Sequence, residues 1–394
     1  MEEKIKEIFE LKDIVWFVMG VAVPYIFNLI KGKVQSFRMK RKIKKTAIEF
    51  ADNGIVSLAH GEPFFSVTTG NQDIKLDVPR EMFYISMPED IKKQILENKS
   101  DFFNTKWEDD QAFLDGQTET DMLTEVSQIL RLSFEDTKKI YLEEKTNVAL
   151  MFLEKAKAGD AYFNGEMYGI KKINLGRKGE HEISKVYISA YRTDYYTHRV
   201  MASIYRRVYK NNKEIVPDNN PGGYNKMRYF LTSMGMNVLL YLKDEGKIVF
   251  VKRSGKLINM PKSLWHVSMN EAISITDISE TTDAIDLHRC ISRGLNEELG
   301  FDIRENHIDY SDLFFLKDPF ETGISAFVTV NNCSFSDLKL LYRAAKDKEL
   351  ESEDLTAVEL SPRHLVKFMK ENELTDAAQY LIQMLLARHK KGAI

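Results

Sequence analysis

The sequence predicts an α/β chain in three parts: a C-terminal part of mixed strands and helices over residues 181–394, a small α+β region over residues 49–180, and one N-terminal transmembrane helix within residues 1–48. Three observations carry this expectation. Short runs with alternating apolar residues recur through the second and third parts and read as strands. Between them stand segments whose apolar residues return every three or four positions, as on one face of a helix. Near the start lies an uncharged apolar run, Ile14 to Ile30.

At 394 residues, with 43% hydrophobic and 29% charged residues, the chain has the make-up of a folded protein with room for two or three domains. Its formal net charge is −3, so no global field draws duplex nucleic acid, and anions must be held by local patches. Cys290 and Cys333 stand in no metal-ligand spacing and fit a reducing compartment without disulfide or zinc.

In Ile14 to Ile30 only Asn28 is strongly polar, and at about 1.5 Å per residue the run nearly crosses a hydrocarbon core. Lys31, Lys33, Arg38, Lys40, Arg41, Lys42, Lys44 and Lys45 follow it, which places the larger C-terminal part on the cytoplasmic side of a single-pass span. These cations can rest on anionic lipid headgroups. The alternative is a buried or interfacial helix broken at Pro24.

Residues 49–180 open with short strands separated by turn signals at Asp52-Asn53-Gly54 and Thr69-Gly70-Asn71. Two helices follow, Thr118 to Leu132 and one capped at Ser133 that runs to about Lys157. Farther on, Lys185 to Ser189 alternates as a strand and leads into a segment where Arg192, Tyr195, Tyr196, His198, Arg199, Tyr205, Arg206 and Arg207 interleave aromatic and cationic groups. Rings stack on bases and guanidiniums pair with phosphates, so Arg192, Tyr195, Tyr196, His198 and Arg199 are candidate nucleotide ligands. The competing reading is a helix from Asp194 with Tyr195, His198, Met201 and Tyr205 packed inward and Arg199, Arg206 and Lys210 in water. After a loop at Asn219-Asn220-Pro221-Gly222-Gly223, strands Met236 to Lys243 and Lys247 to Ser254 form a hairpin.

The stretch from Leu264 to Phe301 reads as a strand, a loop and an amphipathic helix. Ile285, His288, Ile291, Leu295 and Leu299 give the helix an apolar side, and Gly300 stops it. Arg293 and Glu297 stand one turn apart with Glu298 beside them, so two carboxylates at a helix end could hold a hard divalent cation. The competing reading is that Arg293 and Glu297 are an exposed helix pair, worth roughly a few tenths of a kcal/mol.

Arg293-Gly294-Leu295-Asn296-Glu297-Glu298-Leu299-Gly300-Phe301 resembles the end of the Nudix box of Nudix hydrolases, Arg-Glu-apolar-x-Glu-Glu-x-Gly-apolar, with Gly294 where the family has Glu. At the family's spacing the box glycine falls on Ser279 and its first glutamate on Ile285. The resemblance implies a Nudix-like α/β/α sandwich over residues 181–394. It also implies metal ligation by Glu297 and Glu298, with Glu271 a possible substitute for the missing acid. Lys252 and Arg253 would meet the substrate's phosphates, with Trp265 and Arg293 beside them.

A transmembrane segment joined to a degenerate box is similar to the transmembrane Nudix effectors of bacterial cyclic-oligonucleotide anti-phage signalling (CBASS). That likeness implies a single-pass protein of the bacterial inner membrane whose cytoplasmic domain binds a cyclic oligonucleotide second messenger. Ligand would drive a homo-oligomer that disrupts the membrane. The alternative is a membrane-tethered Nudix hydrolase that cleaves a nucleoside diphosphate-linked substrate with Mg at Glu297, Glu298 and Glu271.

Overall fold

The computed structural model describes residues 56–57, 64–66, 73–103, 111–159, 163–178, 183–218, 220–254, 263–279, 284–303, 307–318, 320–346 and 352–390. The expected span Ile14 to Ile30 lies outside them, and among the described residues no helix is long and apolar enough to cross a membrane. Twelve strands are described: β1 (Val56–Ser57), β2 (Phe64–Ser66), β3 (Asp73–Asp77), β4 (Glu166–Lys178), β5 (Ile183–Asp194), β6 (Met234–Leu242), β7 (Lys247–Arg253), β8 (Trp265–His266), β9 (Met269–Ala272), β10 (His307–Lys317), β11 (Phe320–Val330) and β12 (Ser352–Glu359). The helices are α1 (Glu89–Asn98), α2 (Glu119–Leu130), α3 (Phe134–Ala158), α4 (Tyr195–Asn211), α5 (Pro221–Lys226), α6 (Leu287–Leu299), α7 (Phe335–Arg343), α8 (Pro362–Glu371) and α9 (Asp376–Lys390).

The larger sheet has the order β1-β2-β10-β11-β6-β7-β12, with β9 added to β6 and β8 to β7. β6 and β7 pair only at their turn, through Tyr241 with Ile248 and Leu242 with Lys247; beyond that they part, and β9 takes up residues 235–238 of β6. Gly246 makes the turn possible with φ 64°, a left-handed conformation that a Cβ disfavours. β6 and β11 run parallel, and every other pair in this sheet is antiparallel.

Strand periodicity sorts the side chains into two layers. Leu239, Ile248, Phe250, Phe314 and Phe327 pack under α8 and α9 with Leu365, Phe368, Leu381 and Leu385. Their neighbours Val238, Leu240, Val249, Val251, Leu313, Phe315, Ala326 and Val328 face the other way and share a core with Ile291, Leu295 and Leu299 of α6. Helices thus cover both faces, as the expected α/β/α sandwich requires.

β3, β5 and β4 form a second sheet, β3 parallel to β5 and β4 antiparallel to it. The expected boundary between residues 180 and 181 falls inside the β4–β5 hairpin, so this sheet draws strands from both sides of it. Side chains of α1 to α4 and of the second sheet belong to the same buried cluster as α6, so residues 73–158 are joined to the sandwich by a common core.

The cap expected at α3 is present, Ser133 accepting from the Asp136 N–H, and α2 is capped in the same way by Thr118, which accepts from the Asp121 N–H. The segment expected as a loop at Asn219 to Gly223 is corrected in part, because Asn220 caps α5 and Pro221 opens it. His288 is corrected as well. It is exposed, and the inward face of α6 consists of Leu287, Cys290, Ile291, Gly294, Leu295 and Leu299.

Two buried histidines hold joints of the fold. His266 Nδ1 lies 2.5 Å from Thr375 Oγ1, joining β8 to the start of α9, and His198 Nδ1 lies 2.9 Å from Thr232 Oγ1. Burial holds both rings neutral, aided by Arg253 near His266 and by Arg199 and Arg206 near His198, whose pKa falls to about 3. The unfolded chain takes up these protons near pH 6.5 while the folded chain refuses them, so stability is complete above that pH and is lost as pH falls from about 6.5 toward 3. In urea titrations from pH 7 to pH 4, His198→Gln should flatten the acid loss by up to about 1.4 kcal/mol per pH unit. An unchanged slope would show that the ring is already protonated in the fold.

Candidate functional site

α6 starts where Asp286 caps it, accepting from the His288 and Arg289 N–H groups at 2.9 and 3.2 Å. It ends at Gly300, left-handed with φ 67°. Asp286 is thereby used by the helix start. Ile285, where the box's first glutamate would fall, is buried, and its N–H donates to the Leu76 carbonyl of β3. Ser279 closes the loop from the other side, its N–H donating to Ala284 O.

At the far end of α6, Arg293 gathers the acids. Its Nε and Nη2 donate to the two oxygens of Asp277 at 3.1 and 2.8 Å, its Nη1 to Glu271 at 2.8 Å, and its Nη2 to Ala272 O at 3.1 Å. Glu297, one turn on, lies 3.5 Å from Nη1 and also meets Lys346 at 3.3 Å. Burial works against the guanidinium's charge, but the bonds from Asp277 and Glu271 outweigh it and hold Arg293 more firmly protonated than usual. Asp277 is wholly buried and was not among the expected site residues. Its signal was present in Ser274-Ile-Thr-Asp277, a capping-box spacing, and Ser274 N–H does donate to it at 2.9 Å.

Gly294 faces β9. A Cβ there would come within 2.5 Å of Met269 Sδ and 3.0 Å of Glu271 Cβ, so helix and strand touch where the family carries an acid. Glu298 turns to the same strand and accepts from the Asn270 N–H at 3.2 Å. Among the described residues no group of three or more His, Cys, Asp or Glu stands together as a metal cage. Glu297 and Glu298 remain as a pair, and the position between Glu271, Asp277 and Glu297 that a cation would take is filled by the Arg293 guanidinium. In this arrangement Glu271, Asp277 and Glu297 are turned to Arg293, and Glu298 to the Asn270 N–H.

Asn270 leads from the box helix to the expected phosphate contacts. Its Oδ1 accepts from Arg253 Nη1 at 3.0 Å, and its Nδ2 donates to Asn237 Oδ1 at 3.0 Å. Lys252 alternates to the opposite side of β7, in register with Asp354 and Trp265. Trp265 serves packing: its ring lies edge-on to Phe368 at 5.7 Å, and its backbone exchanges hydrogen bonds with Glu373 and Thr375.

The aromatic and cationic segment divides by direction. Tyr196 is buried, with its hydroxyl on Lys145 O at 2.7 Å, and Tyr195 stacks on Phe152 of α3 at 6.0 Å. Asp194 caps α4 through the Thr197 N–H at 2.7 Å. Arg192 lies apart on β5, across from Tyr168, with its backbone bonded to Glu81 and Phe83. Arg206 instead turns toward the β10–β11 hairpin, where its Nε meets Asp318 at 3.0 Å. There His198 Nε2 is 3.9 Å from Glu321, a residue without any sequence signal for the site. The structure therefore brings Arg199 and Arg253 to one neighbourhood, leaves Arg192 and Arg293 in two others, and commits Tyr196 and Trp265 to packing.

No protein-family model matches the chain, and no curated protein does. Solved structures match about two-fifths of it. The MutT protein from Methanosarcina mazei Go1 is 15% identical over 41% of this chain and 96% of that one, with TM-score 0.29. A mutT/nudix family protein from Listeria innocua is 13% identical over 41% and 95%, with TM-score 0.27. The NUDIX domain of Shewanella oneidensis NrtR, solved with ADP ribose, is 13% identical over 40% and 87%, with TM-score 0.25.

Gly294→Ala tests the closed helix-strand contact. In an open helix interior the change would stabilise by about 1 kcal/mol; against buried Met269 it should instead destabilise by about 1–3 kcal/mol. In a Met269→Ala background, itself less stable, Gly294→Ala should cost less in thermal unfolding than in the native chain, since the two sites couple.

Proposed function

We propose that the chain is a membrane-anchored effector whose cytoplasmic Nudix-like domain binds a cyclic oligonucleotide, as in CBASS anti-phage signalling, and then assembles to disrupt the inner membrane. The observation that carries the binding half is the occupied box. Arg293 fills the space among Glu271, Asp277 and Glu297, and Gly294 has no room for a further acid. A helix end arranged in this way scaffolds a site and does not present a metal for hydrolysis. The membrane half rests on Ile14 to Ile30 and the basic run behind it. One span has no pore by itself, so membrane damage requires several copies, and a ligand favours the assembly only by binding it more tightly than the single chain.

The alternative is a membrane-tethered Nudix hydrolase using Mg at Glu297 and Glu298. The full chain in lipid nanodiscs, titrated with a panel of cyclic di- and trinucleotides, separates the two when affinity and Mg-dependent turnover are recorded together. Binding without turnover, kept in Glu297→Gln/Glu298→Gln, is the expected result. Turnover that this double change abolishes would establish the hydrolase instead. Deleting residues 14–30 should leave ligand affinity within about twofold and remove toxicity on expression, a change of under 0.5 kcal/mol, roughly. A fragment that stays toxic without the span would rule out membrane disruption.

A further inference from the structure

We propose that the exposed face of α3 is a self-complementary docking surface, on which a second copy of this chain packs its own α3 antiparallel. The pairing needs no ligand and so goes beyond the cyclic-oligonucleotide reading. α3 runs for 25 residues, capped by Ser133 at its start and turned by Gly159, at φ 72°, at its end. One side of it is anchored, with Tyr141, Val148, Phe152 and Ala156 buried in the common core. The far side carries a stripe of exposed residues at three- and four-residue steps, which a helix sets along one line. Thr146, the middle residue of the helix, is also the middle of the stripe. Leu142 and Leu150 stand four residues to either side of it and leave 48% and 45% of their surface exposed. A helix buried on one side ordinarily turns polar residues to water, so two leucines on this line make an apolar patch.

Charge identifies what covers that patch. Lys138 lies eight residues before Thr146 and Glu154 eight after it; Glu135 lies eleven before and Lys157 eleven after, and all four are exposed. A two-fold axis at Thr146 sets each position opposite the one equally far on the other side. Leu142 then meets Leu150 of the second copy, Lys138 meets its Glu154, and Glu135 meets its Lys157, each contact occurring twice. A parallel pair would instead set Lys138 on Lys138 and Glu154 on Glu154, so the charges select the antiparallel one. Thr146, on the axis, donates its hydroxyl to the Leu142 carbonyl at 3.0 Å and brings no unpaired polar hydrogen into the contact. Glu143 and Glu144, at the margin of the stripe, are tied to Arg207 of α4 at 2.7 and 2.9 Å and so add no loose acid. A single helix pair is small for a specific interface, which makes the dimer concentration-dependent.

Sedimentation velocity of the full chain in mild detergent tests this across the micromolar range. Single chains should give way to dimers as concentration rises. Glu154→Lys and, separately, Lys138→Glu should each weaken the dimer about tenfold, and the two together should restore it to within about twofold. Both changes agree with the helix dipole, an acid toward the start of α3 and a cation toward its end, and a misfolded chain cannot supply the rescue. Thr146→Cys puts a thiol on the axis and should link two chains under mild oxidation. The native chain should not link, nor should Leu340→Cys, at a position of α7 that is 62% exposed. Dimers that neither form this link nor respond to the charge changes would overturn the surface. A chain that stays single at every concentration overturns it as well: a Thr146→Cys thiol then closed to maleimide assigns the face to another segment of this chain, and an open one assigns it to a different protein. Adding the cyclic nucleotide panel keeps the two conclusions apart. Dimers through α3 in a chain that takes none of the panel support the surface and overturn the ligand reading. Panel binding by a chain that stays single overturns the surface and leaves ligand binding standing.

Discussion

The guanidinium of Arg293 is the joint on which the box region depends. It ties the end of α6 to the buried Asp277 of the preceding loop, to Glu271 on β9 and to the Ala272 carbonyl, so helix, loop and strand meet in one side chain. A carboxylate as deeply buried as Asp277 persists only beside a matched cation, and removing the cation would leave an uncompensated charge worth about 3–5 kcal/mol. The close passage of Gly294 over Met269 follows from the same joint, since the pairing draws α6 down onto β9. Chemistry at this helix end is constrained accordingly. The acids that could have turned toward a metal are already turned toward an arginine or a backbone N–H.

Much of the fold was legible because its signals are local. Caps at Thr118 and Ser133, the apolar runs of β6 and β7, and the Gly300 stop are written within a few residues of where they act. Direction was harder to read. The α6 pattern admits two neighbouring phases, one turning His288 inward and one turning Leu287 inward, and Leu287 is the buried residue. In α4 composition alone could not say which rings point inward; α3 decides that for Tyr195 and Tyr196 by supplying Phe152 and the Lys145 carbonyl. Glu321 left no trace in sequence because its approach to His198 is made entirely by tertiary contact. Asp277 did leave one, through the Ser274 spacing, but its role toward Arg293 needed the fold.

The two arginine neighbourhoods differ in kind. Arg293 is 25% exposed at its side chain and surrounded by acids that outnumber it, which makes it a fastening. Arg206 meets Asp318 at a more open position, with 36% of its side chain exposed. Asn270 stands between the two: its N–H is held by Glu298 of the box helix and its side chain holds Arg253. A box acid thus helps to aim Arg253.

The second sheet gives the box loop its other wall. β3 meets that loop through Asp77 with Ala284 and Leu76 with Ile285, and β4 meets it through Met167 with Ser274. β5 has β3 on one side and β4 on the other. A fragment cut at residue 181 would strip β5 of both partners, leaving two rows of unpaired amides and carbonyls and an apolar face with Val186 and Ile188 open to water. Dissection of this protein by limited proteolysis or truncation therefore has its natural starting point before β3. A shorter piece would pair with itself and register as aggregation, masking whatever the intact site can bind.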